Sequence, residues 1–174
     1  METLEALTTR RSVRAFSTRR VPEEVIRKIL AAGMSGPSCV NARDWSFVVV
    51  REHSMLEAMA EANGPYATPL KTAAFGTLVC GDLGRAFKGA KDYWVVDGAI
   101  AAQNMVLAAR DLGVGSVWLG TWPQMERVEA QSELFALPGD IVPHSVLAFG
   151  YPMDERVFAQ RDLYEEDRVH FERW

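Results

Sequence analysis

Apolar positions recur along the chain with two different spacings, and these spacings predict helices alternating with short strands. Apolar residues three or four positions apart predict helices over residues 2–9, 22–33, 54–62, 92–112 and 124–134. Short apolar or β-branched runs predict extended segments over residues 10–16, 47–51, 73–80, 116–120 and 145–150. Strands scattered between helices in this way indicate a layered α+β or α/β domain.

The segment from Asp92 to Leu112 predicts a helix of unusual character. It is about 31 Å long at 1.5 Å per residue, and small or apolar residues cover nearly every face. A helix that is apolar all round needs to be buried on all sides. A chain of 174 residues has difficulty burying such a rod alone, so we expect a second subunit to cover part of it. The alternative is a central helix in a monomer.

Composition and charge narrow the function classes. Hydrophobic residues make up 48% and charged residues 24% of the chain, which is typical of a folded globular protein. The net charge of −4 argues against nucleic acid as the main partner. Cys39 and Cys80 are too few and too far apart for a zinc site or a disulfide framework. Without a recognisable signal peptide or membrane-spanning run, we expect a cytoplasmic protein that contacts no membrane.

Common catalytic motifs are not found in the sequence. The glycines at 113 and 115 lack the third glycine of a dinucleotide fingerprint, and they follow a helix instead of a strand. Residues 36–40 match a nucleophile elbow only in part. His53, His144 and His170 are isolated, and a structural role is the better interpretation of each. We therefore expect no catalytic side chain and no metal site.

Residues 10–14, with the sequence Arg-Arg-Ser-Val-Arg, carry the clearest candidate chemistry. In an extended backbone, Arg10, Ser12 and Arg14 lie on one side. Two guanidinium groups flanking a hydroxyl can bind a phosphate together with a second anionic or carbonyl group. A solvated basic stretch after a helix is the alternative.

Five segments, in order along the whole chain, resemble motifs of the nitroreductase-like FMN-dependent oxidoreductase family. The first is the Arg-Arg-Ser-x-Arg motif itself. Residues 37–45 are similar to the family's Pro-Ser-x-x-Asn-x-Gln-Pro-Trp loop. The others are the long helix and its Leu-Gly-x-Gly end at 97–115, the strand at 118–120, and Phe-Gly-Tyr-Pro at 149–152 followed by Arg161.

The resemblance implies an α+β fold in which helices flank a central, mostly antiparallel sheet. It further implies that residues 1–174 form a single FMN-binding domain. The long helix would be buried at the interface of a homodimer. An extended C-terminal arm, about 151–174, would lie across a surface, and its charged and aromatic composition without a hydrophobic period suits that role.

Carried over position by position, the resemblance implies how the FMN phosphate is held. Arg10, Arg11 and Ser12 would bind the phosphate and the ribityl chain. Arg161 would add a phosphate contact from the arm, and Arg14 would approach the flavin pyrimidine.

The flavin ring would be held by both subunits of the dimer. The strand at Trp118, Leu119 and Gly120 would lie against the ring, with the N–H groups of Leu119 and Gly120 near flavin N5 and O4. The partner subunit would contribute Pro37, Ser38, Cys39 and Asn41. Two shared FMN sites per dimer follow from this arrangement.

Arg43 and Asp44 depart from the family's Gln-Pro pair. Arg43 would add positive charge near the cofactor and change its potential or the accepted substrates. A salt bridge within the Arg43–Asp44 pair, or to a neighbour, is the milder interpretation.

The implied activity is transfer of a hydride from NADH or NADPH to FMN, and then to a small electron-poor acceptor, by a ping-pong sequence. Nitroaromatics, quinones and enones are the implied acceptors. An FMN-binding protein that stores or senses the flavin with little turnover is the second hypothesis. A more remote one is a relative that consumes its flavin or removes halide from aromatics.

Overall fold

A computed structural model of the chain describes residues 2–174 and contains one four-stranded antiparallel sheet. Its strands are β1 (Trp45–Val50), β2 (Phe75–Asp82), β3 (Gly115–Gly120) and β4 (Ile141–Gly150). The strands lie in the order β1-β2-β4-β3, with every neighbouring pair antiparallel. β2 and β3 therefore run in the same direction, and a long crossover is needed to join them.

Helices cover both faces of the sheet, so the fold is α+β as the resemblance implied. They are α1 (Thr3–Thr9), α2 (Glu23–Gly33), α3 (His53–Ala62), α4 (Tyr93–Asp111) and α5 (Met125–Leu134). Short 3₁₀ segments occur at Cys39–Asn41, Pro65–Thr72, Glu155–Phe158 and Glu166–Arg168. α4 is the crossover between β2 and β3, and its bounds lie within one residue of those predicted.

The two faces of the sheet bury separate apolar clusters, because successive side chains of a strand point to opposite faces. Leu78 and Val146 pack on one side with residues of α3 and the Pro65–Thr72 segment. Phe75 and Phe149, which are register partners, stack on the other side at 4.6 Å, over α2 and α4. β2 is buried along nearly its whole length, which explains its largely apolar sequence.

β4 begins at Ile141, four residues before the predicted start at residue 145. The sequence analysis missed the beginning of this strand because it contains Pro143, and a proline removes a ladder hydrogen bond. β3 pairs with β4 only as far as Ser145, so within residues 2–174 the strand partner of residues 141–143 is β2 alone. His144 is an extra residue there, since Val79 pairs with Ser145 and Cys80 with Pro143.

The extended segment predicted over residues 10–16 forms two isolated bridges rather than a strand. Ser12 pairs with Ser116 on the free edge of β3, and Phe16 pairs with Pro152. The Val13 N–H donates to the Ser116 carbonyl at 2.8 Å. A Cβ at Gly115 would lie 2.9 Å from Val13, so this close approach requires a glycine.

α4 is buried on one side only within a single chain. Met105 and Ala109 pack under the sheet, whereas Tyr93 and Val96 are 51% and 48% exposed. Ile100 and Leu107 continue the exposed stripe and are half-buried. Residues 159–174 are exposed throughout. In the described range 2–174, no helix is long and apolar enough to cross a membrane.

Candidate functional site

The residues of the Arg-Arg-Ser-Val-Arg motif and Arg161 meet in one cavity of about 540 Å³. Val13 is buried between them, so its neighbours Ser12 and Arg14 point outward, as a period of two predicts. The full lining is Arg10, Arg11, Ser12, Arg14, Arg156, Val157, Ala159, Arg161 and Leu163. Among the described residues, the lining of this cavity therefore gathers five guanidinium groups and no carboxylate.

Arg11 ties the arm to α1 at the edge of this cavity. Its guanidinium donates to the carbonyls of Thr8 at 2.9 Å and Arg10 at 2.7 Å, and also to the Ala159 carbonyl. Burial, and then the charges of Arg161, Arg10 and Arg110, lower the pKa of Arg11. Arg11 thus brings the segment that carries Arg161 to the motif.

A second cavity, of about 590 Å³, lies along the free edge of β3, and Arg14 lines both cavities. Trp118, Leu119 and Gly120 form part of its wall. The Leu119 side chain is buried in the core. A Cβ at Gly120 would meet no atom within 4 Å, which leaves this part of the wall flat.

Among residues 2–174, the loop at residues 37–43 contributes nothing to the lining of either cavity. The Cys39 N–H donates to both carboxylate oxygens of Asp97, at 3.1 and 2.9 Å, near the beginning of α4. Arg110, near the end of α4, donates to the Thr9 hydroxyl beside the arginine motif. Asp97 and Arg110 are roughly 20 Å apart along the helix at 1.5 Å per residue. Pro37, Ser38, Cys39 and Asn41 are therefore not brought together with the arginines inside one subunit.

Comparison with known proteins identifies the family. Residues 7–78 and 69–151 match the model of the nitroreductase family. The chain belongs to the nitroreductase family.

Three relatives illustrate how much of this nitroreductase-family chain is shared. A Methanothermobacter thermautotrophicus protein, provisionally named NADH dehydrogenase/NAD(P)H nitroreductase, is 45% identical over 100% of this chain and 88% of its own. A Parabacteroides distasonis crystal structure with the same provisional name has a TM-score of 0.91 and 35% identity, over 99% of this chain and 98% of that one. A Desulfovibrio desulfuricans protein, provisionally a nitroreductase and crystallised with FMN, has a TM-score of 0.81 and 28% identity over 99% and 97%.

The two cavities fit the two chemically different ends of FMN. Among residues 2–174, Arg156 is the one arginine of the first cavity with a carboxylate partner, Asp154 at 2.7 Å. Arg10, Arg14 and Arg161 are therefore left with charge that a phosphate would neutralise. The flat wall at Gly120 leaves room for a planar ring.

Several residues of the second cavity were missed by the sequence analysis. They are Asn63, Pro65, Tyr66, Gln124 and Arg127, together with Thr68, Pro69 and Val117. Asn63 and Pro65 lie outside every predicted element, and Arg127 lies in the helix predicted over 124–134 with no role assigned to it. No motif of this sequence links α3, α5 and β3, so only their packing could show that these residues meet.

Asp44 does not form the expected salt bridge with Arg43, and that interpretation is wrong. Arg43 is exposed with a φ of 53°, and its N–H donates to the Ser38 hydroxyl at 2.9 Å. The Asp44 side chain is buried, and no donor among residues 2–174 hydrogen-bonds its carboxyl oxygens. Burial and the neighbouring Asp97 raise the pKa of Asp44 to about 6, with a smaller contribution from Asp82. The only hydrogen bond available between the two carboxyls is one that shares a proton.

Asp44→Asn should stabilise the protein at neutral pH. The folded chain holds a proton on Asp44 up to about pH 6, whereas the unfolded chain releases it near pH 4. The folded state thus binds more protons between these values, so stability falls as pH rises through this window and the penalty persists above it. We expect a gain of about 1–3 kcal/mol at pH 7.5 that vanishes below pH 4, measured by urea unfolding.

The exposed Asp167→Asn serves as the control and should change stability little at either pH. Equal destabilisation by Asp44→Asn at both pH values would mean that the buried carboxyl is not the source of a proton-linked penalty.

His144 and Cys80, the remaining side chains that could carry chemistry, lie in surroundings that suit a structural role. His144 is buried against the rings of Trp94 and Trp118, and burial lowers its pKa to about 4, which keeps it neutral. Cys80 is a free thiol in the core. Within residues 2–174, no group of three His, Cys, Asp or Glu side chains is placed to hold a metal ion.

Proposed function

We propose that this chain is an FMN-dependent NAD(P)H oxidoreductase that reduces a small electron-poor acceptor. The observation that carries the proposal is the pair of adjoining cavities, one rich in arginine and free of carboxylates, the other flat-walled at Gly120. The FMN of the Desulfovibrio desulfuricans structure and the provisional NAD(P)H nitroreductase names of the relatives support the same function.

In this proposal Arg10, Ser12 and Arg161 hold the phosphate with charge-assisted hydrogen bonds. Arg11, whose guanidinium already serves three backbone carbonyls, keeps the arm in place and adds positive potential. Arg14 lines both cavities, so it can reach the pyrimidine side of the ring. A guanidinium there favours the negative charge that a flavin gains on reduction.

Backbone groups of β3 would meet the edge of the ring. The Ser116 carbonyl faces the free edge, where it accepts from Val13. Alternation along a strand then places the backbone N–H of Trp118 on that edge as well. The Gly120 carbonyl accepts from Asn63 and Arg127 and therefore faces away from β4. Of the backbone groups at this end of β3, we consider the Gly120 N–H the best placed for the flavin.

The shared site requires a homodimer, which we also propose. The half-exposed stripe of α4 gives two subunits an apolar contact surface. If two α4 helices pack antiparallel about a twofold axis, the 37–43 loop of one subunit lies against the arginine motif of the other. The loop has positive φ values at Val40, Asn41 and Arg43, and strain of this kind is concentrated at functional sites.

Bound FMN would supply hydride acceptance from NADH or NADPH and hydride donation to a nitroaromatic, quinone or enone. Because one open face of the ring has to serve both partners, the donor should leave before the acceptor enters. The chain's own residues bind, orient and tune the cofactor, and no side-chain acid or base is assigned. A single FMN-binding unit in the cytoplasm completes the proposal.

Steady-state kinetics tests the proposed activity. FMN-loaded protein, assayed with NADPH or NADH and a soluble quinone at several fixed concentrations, should give parallel double-reciprocal lines and a rate that depends on bound FMN. Intersecting lines would contradict the ping-pong order. Tight FMN binding without turnover of any quinone or nitroaromatic would favour the storage hypothesis.

A further inference from the structure

Two side chains converge on the carbonyl of Gly120, the last residue of β3. Asn63 Nδ2 donates to it at 3.3 Å and Arg127 Nη1 at 2.8 Å. Asn63 follows α3 directly and Arg127 lies in α5, so the carbonyl joins three elements that surround the second cavity. A carbonyl with two donors has both lone pairs engaged and a fixed orientation.

Asn63 is itself held rigidly. It is 2% exposed, and its Oδ1 accepts from the hydroxyl of Thr121, which is fully buried, at 2.7 Å. This contact fixes which side of the amide faces Gly120, because only Nδ2 can donate. A second buried contact, from Gln131 Nε2 to the Met59 carbonyl at 2.9 Å, joins α5 to α3. The donors around Gly120 are thus preorganised by packing.

Arg127 also brings charge to the cavity. In the described part of the chain, no ion pair joins Arg127 to a carboxylate. The lining of the second cavity contains Arg14 and Arg127 and neither an aspartate nor a glutamate. Positive potential in such a cavity stabilises a ligand more when the ligand gains negative charge.

We propose that Asn63 and Arg127 are positioning residues for the flavin. They fix the Gly120 carbonyl, and with it the strand end on which the ring rests. Arg127 in addition shifts the bound flavin toward its reduced form. The inference rests on the proposed function, since it concerns the same cofactor site, and it assigns roles to residues outside the sequence motifs.

Arg127→Met removes the donor and the charge while keeping a long side chain, and Arg127→Lys keeps the charge without the guanidinium fork. We expect Arg127→Met to lower the affinity for reduced FMN about tenfold relative to oxidised FMN. For a two-electron couple this is a drop of about 30 mV in midpoint potential. Arg127→Lys should retain most of the potential. The measurement is an anaerobic dye-equilibrated titration of the bound flavin.

Arg51→Met is the matched control, because Arg51 is exposed and directly follows β1, at the opposite edge of the sheet. Two strands separate β1 from β3, which is about 14 Å at 4.8 Å per strand spacing. This variant should leave both the potential and the FMN affinity at wild-type values.

A double-mutant cycle tests the role of Asn63. Asn63→Ala is combined with Thr121→Val so that no buried hydroxyl loses its partner. We expect this pair to weaken FMN binding about tenfold by fluorescence titration. When this pair is combined with Arg127→Met, the fold-loss of FMN affinity should be smaller than the product of the fold-losses measured for the pair and for Arg127→Met separately. All three substitutions act through the Gly120 carbonyl, so their effects are coupled.

Unchanged potential in Arg127→Met, or losses in the cycle that multiply fully, would overturn the inference. Wild-type protein that does not bind FMN would instead overturn the proposed function, so the two failures are distinguishable. Circular dichroism and thermal unfolding of each variant establish that a lost affinity is not a lost fold.

Discussion

Replacing Arg10 and Arg161 together by alanine is expected to strip FMN from the protein. Both side chains line the arginine-rich cavity, and no carboxylate among residues 2–174 forms an ion pair with either. Two charge-assisted phosphate contacts at roughly 1.5–3 kcal/mol each correspond to a loss of about two to four orders of magnitude in affinity. Fluorescence titration with FMN at fixed ionic strength measures this loss.

Riboflavin provides a control ligand, because it has the ring but not the phosphate, and its affinity should be nearly the same for wild type and variant. Arg51→Ala with Arg85→Ala removes the same charge from exposed positions outside both cavities and should retain FMN. FMN retention by the Arg10/Arg161 variant at wild-type affinity would refute the phosphate assignment.

Val96→Arg is expected to convert the proposed dimer into a monomer and to abolish tight FMN binding at the same time. Val96 is 48% exposed on the apolar stripe of α4, next to Tyr93 and Ile100. An arginine there would be desolvated without a partner in a twofold contact, a cost of several kcal/mol for each subunit. Sedimentation velocity reports the mass, and FMN titration of the same samples reports the affinity.

Val49→Arg on β1 is the control, since Val49 is 37% exposed and lies outside α4. It should leave the dimer and the flavin in place. A Val96→Arg monomer that binds FMN as tightly as wild type would show that the 37–43 loop of a partner is not part of the site.

Hydrophobic spacing was sufficient to predict most of the helices and strands, while the antiparallel sheet was implied by the resemblance. α4 was found within one residue at each end, because a long unbroken helical pattern runs up to Gly113. The beginning of β4 was missed because Pro143 is usually excluded from a central strand. A proline is tolerated at this position because β3 ends at Gly120 and does not pair with this part of β4. The local sequence does not show where β3 ends.

Spacing alone predicted the candidate site only where its residues are neighbours in sequence, and it was the resemblance that added Arg161 to them. Ser12 and Arg14 share a cavity because an extended backbone repeats every two residues. The contact of Asn63 and Arg127 with Gly120 depends on the packing of three elements and has no local signal. Arg43 and Asp44 show the reverse error, since adjacency suggested an ion pair, whereas Arg43 is exposed and the Asp44 side chain is buried.

Anaerobic mixing of the FMN-loaded protein with NADPH, and separately with NADH, tests the central claim most directly. One equivalent of at least one of these nucleotides should bleach the visible flavin band, as a hydride delivers two electrons to each bound FMN. Addition of a quinone should then restore the band without further nucleotide. A bound flavin that neither nucleotide bleaches, or a protein that does not bind FMN at all, would contradict the account.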